Sequence, residues 1–230
     1  MYHLINKRDK ILTVLLFGGL FLLALTAFPE LSQAIPISGN GSLGNFTGIL
    51  NYSFSSATVA ELDVTLTNTS NPSNGGFITG FVLNNPGNHI TGVTLTDPGG
   101  SAGFTLLGGL NFNNTINGSP FGQFDIGAAL GGSFEGGGNP NGGIGVGQTA
   151  SFFKFTLNGA GLDTLTANSF ISELSTGMGA GQGYQSFVAR FRGFNNDGSD
   201  KVPDPALVPE PITMLLLGSG LAGLYGIRRF

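Results

Sequence analysis

The 230-residue sequence predicts an all-β, sandwich-like antiparallel domain held between two terminal targeting helices. Three observations carry the central prediction. Apolar and polar residues alternate with period two through several short segments, the pattern of strands with one buried and one wet face. Clusters of Asn, Pro, Gly and Asp separate these segments. Twenty Phe stand beside 40 Gly and 11 Pro, which describes a loop-rich but folded chain, because disordered chains are poor in aromatics.

In chain order, Ala60, Leu62, Val64 and Leu66 alternate with Glu61, Asp63, Thr65 and Thr67. Phe153, Phe155 and Leu157 alternate with Lys154 and Thr156, and Phe187, Ala189 and Phe191 with Val188, Arg190 and Arg192. Weaker strand signals lie at residues 44–54, 77–83, 90–96, 103–106 and 121–126. The groups Asn71-Pro72-Ser73-Asn74-Gly75-Gly76, Asn84-Asn85-Pro86-Gly87 and Asp97-Pro98-Gly99-Gly100 mark turns. Short strands so punctuated suggest a β-sandwich. Residues 166–174 predict one or two helical turns, with Phe170 and Leu174 sharing an inner face at i, i+4. Residues 131–147 form a glycine loop, long for a connection inside a compact domain.

Composition narrows the chemistry. There is no Cys, which removes thiolate catalysis, Cys-ligated zinc and iron–sulfur clusters. Charged residues make up 10% of the chain, against a usual ~25%, and formal net charge is −4. Between the terminal segments only Lys154, Arg190, Arg192 and Lys201 are basic. That is no basic patch for neutralising phosphates, so nucleic acid is not an expected partner.

The ends predict export. Lys7, Arg8 and Lys10 precede an uncharged apolar run at residues 11–28, and Ser32-Gln33-Ala34 follows with small residues at the positions that a signal peptidase reads. This is the pattern of a secretory signal, residues 1–34, cleaved after Ala34 so that the mature chain begins at Ile35. An uncleaved anchor is the alternative, since the run approaches the ~17–25 residues that span a bilayer. The domain is expected over residues 35–194, followed by a polar linker over 195–207 that carries Pro203 and Pro205. Residues 208–230 then read Val208-Pro209-Glu210-Pro211, an uncharged segment at 212–227 with four glycines, and Arg228-Arg229-Phe230. Glycine is better tolerated in membrane helices than in soluble ones, and terminal arginines favour the cytoplasmic side. A short transmembrane helix over 212–227 is expected, with the domain outside.

Pro209, Glu210 and Pro211, the glycine-rich apolar segment and the Arg228–Arg229 pair together resemble the PEP-CTERM sorting tail of bacterial exopolysaccharide-associated proteins. The resemblance covers about a tenth of the chain. It implies recognition and processing by a membrane protease, exosortase, with the Pro-Glu-Pro as a recognition element rather than a catalytic group. A plain single-pass anchor is the alternative. The body, with its Thr/Asn-rich strand at 62–70, the Ser186–Phe191 strand and the 198–202 segment, also resembles bodies carried by such tails, the cistern-type group among them.

The motifs that could carry chemistry are weak. Gly99-Gly100-Ser101-Ala102-Gly103 matches the hydrolase elbow as a string. The elbow needs a strand before, a helix after and a later His, whereas His89 precedes it. Gly39-Asn40-Gly41-Ser42-Leu43-Gly44 matches the dinucleotide fingerprint but lies outside any βαβ unit, so a flexible N-terminal linker is expected there. One domain His cannot build the common zinc sites. Asn195, Asp197, Asp200 and Asp204 are a weak calcium candidate by oxygen-ligand count. Asp125 and Glu135 are the only acids near the glycine loop that a glycosidase could use as its pair. Tyr52 and Tyr184 are the likeliest exposed aromatics for stacking on a sugar, and a Thr-rich flat face also suits an ice-binding surface, though no repeat supports one. Sequons at Asn40, Asn45, Asn51, Asn68, Asn113 and Asn117 would matter in a eukaryotic secretory protein; a bacterial tail argues for unmodified Asn. The expected function is a non-enzymatic surface or extracellular-matrix protein, structural or adhesive, without cofactor, meeting signal peptidase, exosortase and exopolysaccharide. The alternative is a carbohydrate-binding module or weak glycan hydrolase.

Overall fold

The computed structural model describes residues 33–98 and 103–205. Thirteen strands and one short helix fill this span: β1 Gln33–Asn40, β2 Asn45–Ser56, β3 Val59–Asn68, β4 Gly75–Leu83, β5 Ile90–Pro98, β6 Phe104–Leu107, β7 Ile116–Asn117, β8 Gln123–Phe124, β9 Ile126–Leu130, β10 Ile144–Gly145, β11 Thr149–Gly159, α1 Ala167–Ser172, β12 Phe187–Phe194 and β13 Ser199–Pro203. The expected all-β class holds. Every strand pairing is antiparallel. One sheet has the order β1-β2-β3-β11-β5 and the other β13-β12-β4-β9-β6, with β10 on β4; β7 and β8 form a separate ribbon.

The alternation seen in sequence is the alternation of the first sheet. Ala60, Leu62, Val64 and Leu66 of β3 are buried while Glu61, Asp63, Thr65 and Thr67 are only half-buried. β11 lies between β3 and β5 and sends Phe153, Phe155 and Leu157 inward. From the second sheet, Phe81 meets them. Its ring centroid lies 4.8 Å from Phe153, 6.0 Å from Phe155 and 5.7 Å from Phe187. The two inner faces thus share one continuous apolar core. Each fully buried Phe contributes on the order of 2–3 kcal/mol by area removed from water.

Several boundaries depart from expectation, each for a local reason. The fingerprint-like segment 39–44 is the end of β1 and a tight turn to β2, closed by Gly41 N–H donating to the Gly44 carbonyl at 2.8 Å, not a flexible linker. Glycine is required at Gly39, where a Cβ would lie 2.5 Å from both the Pro203 carbonyl and the Phe46 ring. Within the polar linker expected at 195–207, residues 195–203 are instead the turn between β12 and β13 followed by β13 itself, with Asp197 at φ +59° and Val202 buried in the core; residues 206 and 207 lie outside the described residues. Pro203 is tolerated because β13 is an edge strand. The 121–126 strand is two, β8 and β9, broken at Asp125. Within the glycine loop lie a 3-10 turn at Pro140–Gly142 and β10. The helix is shorter than predicted: the Thr166 N–H donates to Ser169 Oγ at 3.1 Å at its start, and it ends before Leu174, which is 41% exposed rather than sharing an inner face with Phe170.

Among the described residues no helix is long and apolar enough to cross a membrane. The expected signal helix and the tail helix at 212–227 lie outside the described residues.

Candidate functional site

The second sheet differs from the first in that both of its faces are buried. β4 and β9 are near-continuous apolar runs, the pattern of strands covered on two sides. The outward side chains Val82, Ala129 and Val188 join Leu107, Ile116, Phe121, Phe124 and Phe134 in a second apolar cluster. The cover over this face is the irregular chain between β6 and β10 and the segment before β12. Gln123 N–H donates to the Thr176 carbonyl at 2.8 Å, and Thr176 N–H returns a bond to Gln123 at 3.2 Å, which ties the two parts of the cover together. Asp125 anchors it from below: its buried carboxylate accepts from the Asn85 N–H at 2.8 Å and from the Asn114 N–H. Burial pushes the Asp125 pKa up, and the two N–H groups work against that rise.

A cavity of about 320 Å³ opens in this cover, lined by Leu106, Gly108, Thr115, Asn117, Ser133 and Glu135 among others. Beside it lies a cluster of cations. Arg190 and Arg192 occupy alternate, outward positions of β12, and Lys201 stands opposite Arg190 on β13. Lys201 Nζ is 2.7 Å from Glu135 Oε1, donates to the Ser119 carbonyl and sits 5.6 Å from the centroid of the Phe134 ring. Arg192 Nη1 donates to the Gly137 carbonyl at 2.6 Å. Arg190 Nη1 reaches only 3.8 Å from Glu135 Oε2, beyond hydrogen-bond range, and its buried Nε has no hydrogen-bond partner among the described residues. Burial lowers the pKa of both Arg190 and Lys201, with Glu135 opposing.

The residues singled out from sequence fall as follows. Tyr52 is 2% exposed; its hydroxyl donates to the Leu162 carbonyl at 2.6 Å, and its pKa is pushed up to about 12 by burial and then by Asp163. It is a core residue and cannot offer its ring to a sugar. Tyr184 is 47% exposed, with its hydroxyl donating to the Gly177 carbonyl at 3.2 Å. Asp125 and Glu135 are each engaged elsewhere, the first by two backbone N–H groups and the second by Lys201. The calcium candidates are spread among structural tasks. Asp200 accepts from Leu43 N–H at 2.8 Å, Gly44 N–H at 3.1 Å and Ser42 Oγ at 3.2 Å. Asp204 accepts from Ser38 N–H at 2.9 Å, and Asn195 donates to the Ser73 carbonyl at 3.0 Å. Among the described residues no three His, Cys, Asp or Glu side chains gather where they could hold a metal ion. Asn68 is fully buried, its amide donating to the Gly76 and Ile144 carbonyls, so that sequon is inaccessible in the folded domain. Ala34 lies in β1, opposite Asn51. Ser32, Ser101, Pro209, Glu210, Pro211, Arg228 and Arg229 lie outside the described residues.

The cation cluster is what sequence reading missed. Arg190 and Arg192 at i, i+2 signal a shared strand face, but Lys201 joins them only through the pairing of β12 with β13, a strand read as linker.

No curated protein and no solved structure matches the chain. Residues 207–229 match the family model of the PEP-CTERM protein-sorting motif. That match covers the same Pro-Glu-Pro, apolar segment and arginines on which the resemblance was drawn. The chain carries a PEP-CTERM protein-sorting signal, which marks it as an exosortase substrate exported to the cell envelope.

Proposed function

We propose that the protein is a non-enzymatic β-sandwich displayed at the cell surface or released into extracellular matrix, where it acts as a structural or adhesive component. The observation that carries this reading is the sorting motif at residues 207–229, joined to a domain whose candidate acids, Asp125 and Glu135, are each engaged by structural partners. On this reading a signal peptidase removes residues 1–34, the apolar segment at 212–227 crosses the membrane before processing, and exosortase acts near Pro209-Glu210-Pro211. Ala34 pairs with Asn51 where β1 meets β2, so on this reading signal cleavage falls next to a paired strand.

The intact mass of the native protein, taken separately from membrane and from released matrix, tests the reading. A released species that starts at Ile35 and lacks the segment after Pro211 is expected. A membrane species still ending at Phe230, with nothing released, replaces exosortase processing by a permanent anchor.

A second reading, a carbohydrate-binding module or weak glycan hydrolase, is favoured by the polar-lined cavity of about 320 Å³ and the exposed Tyr184 ring. Saturable affinity for a defined glycan supports it; equal, weak retention on every polymer tried removes it.

A further inference from the structure

Lys154, Arg190, Arg192 and Lys201 are the cations between residues 33 and 205, set against ten Asp and Glu over the same span. Three of those four share one face, with Glu135 as the carboxylate that approaches two of them, Arg190 and Lys201. In an acidic domain with few cations, such a gathering concentrates positive potential on one small area.

The three cations are not equally satisfied. Arg192 donates to the Gly137 carbonyl, and Lys201 donates to the Ser119 carbonyl and to Glu135. Among the described residues the Arg190 guanidinium, whose side chain is 13% exposed, has only the 3.8 Å approach to Glu135, and its Nε is enclosed without an acceptor. A largely buried guanidinium that makes no hydrogen bond is costly, and arginine's planar fork fits a bidentate oxyanion. A Cβ built on Gly136 would lie 3.7 Å from Arg192 Cζ and 3.8 Å from Arg190 Nη2, so both guanidiniums reach the same stretch of side-chain-free backbone. The neighbouring cavity shares Glu135 and Phe134 with the cluster and adds the side chains of Thr115, Asn117 and Ser133, groups that pair with hydroxyls. Its volume lies at the low end of small-ligand sites.

We infer that Arg190, flanked by Arg192 and Lys201, is an oxyanion site for an acidic saccharide, whose carboxylate or sulfate meets the guanidinium while its hydroxyls enter the adjoining cavity. Glu135 is the internal competitor: it occupies the cations in the free protein and is displaced or neutralised when the ligand's anion arrives. The assignment deepens the matrix-facing reading and rests on it for where such a polymer is met. Binding in vitro does not depend on delivery, so a negative result here leaves the intact-mass test of sorting standing, and the reverse also holds.

The test is affinity electrophoresis of the full-length chain, in mild detergent, through gels containing polygalacturonate, dextran sulfate or uncharged dextran. Retardation by one or both acidic polymers and none by dextran is expected, weakening with salt. Retardation by polygalacturonate alone identifies the ligand group as a carboxylate, and by dextran sulfate alone as a sulfate. Arg190→Gln should weaken retention about tenfold, the loss of one charge-assisted hydrogen-bonded contact. Glu135→Gln should strengthen it several-fold, an outcome that misfolding cannot imitate. Equal mobility in all three gels, or a Glu135→Gln protein that binds no more tightly than the parent, overturns the inference.

Discussion

On the first sheet, β3 and β11 turn Glu61, Asp63, Thr65, Thr67, Lys154 and Thr156 outward, and these half-buried residues keep part of their surface in solvent, with cross-strand pairs among them such as Thr67 Oγ1 with Thr149 Oγ1 at 2.7 Å and Lys154 with Glu61 at 3.0 Å. On the second, the outward positions of β4, β9 and β12 are Val82, Ala129 and Val188, and the chain between β6 and β10 packs over them as a second apolar cluster. The two sheets share one core yet have opposite exteriors. The difference shows what irregular, glycine-rich chain is for in this molecule. It covers the face that is too apolar to leave wet, and in doing so builds the cavity and the cation cluster. The open face, for its part, is held mainly by exposed pairs that contribute little.

The sharpest way to break the comparison is to remove what the two sheets have in common. Phe81→Ala empties the point where Phe81 meets Phe153, Phe155 and Phe187. It should cost about 3–5 kcal/mol in urea unfolding, with both sheets lost together. Asp125→Ala attacks the cover alone. It leaves the buried Asn85 N–H and the Asn114 N–H without their acceptor and should cost about 2–3 kcal/mol. Hydrogen exchange should quicken over residues 108–125 before β3 and β11; simultaneous exchange in both would mean that the cover is not a separate layer.

A smaller effect is a slope with pH. Burial raises the pKa of Asp63, Asp125 and Asp204 above the ordinary 3.8, against Lys154 for the first and backbone N–H donors for the other two. A carboxyl raised in the folded state binds its proton more tightly there than in the unfolded chain. Its stabilisation is complete below 3.8 and is lost as pH rises through the raised value. Unfolding midpoints in urea should therefore rise on mild acidification from neutral pH, and Asp204→Asn should flatten part of that slope; a parent protein that weakens steadily on the same acidification contradicts the assignment. The smallest effect belongs to the open face. Glu61→Ala and Thr149→Ala should each change stability by roughly 0.2–1 kcal/mol or less, and a larger loss would mean that this face is structurally committed rather than open.

Part of this contrast was legible in advance. The strict alternation of β3 announced a wet face, whereas residues 77–83 gave only a weak strand signal and their burial on both faces came from the structure. What the sequence concealed was hidden by polarity. β1 and β13 contain few apolar residues and sit beside turn-forming groups, so they read as linkers. Their pairing depends on carboxylates from one end of the chain, Asp200 and Asp204, accepting N–H groups from the other, at Ser38, Leu43 and Gly44. Tyr52 was misread for a related reason. A tyrosine among Asn and Ser looks exposed, and only the second turn of chain over it, at Leu162, shows where its hydroxyl goes.

The sequence by itself determined the all-β class, the inward faces of the long strands and the sorting signal, because each is written in a local pattern of period, composition or motif. The tertiary structure alone decided the edge strands, the covered face and the meeting of Arg190, Arg192, Lys201 and Glu135. Those depend on pairings across more than fifty residues of chain for Glu135 with Arg190 and Lys201, and no local pattern encodes which distant polar groups a fold will bring within reach of one another.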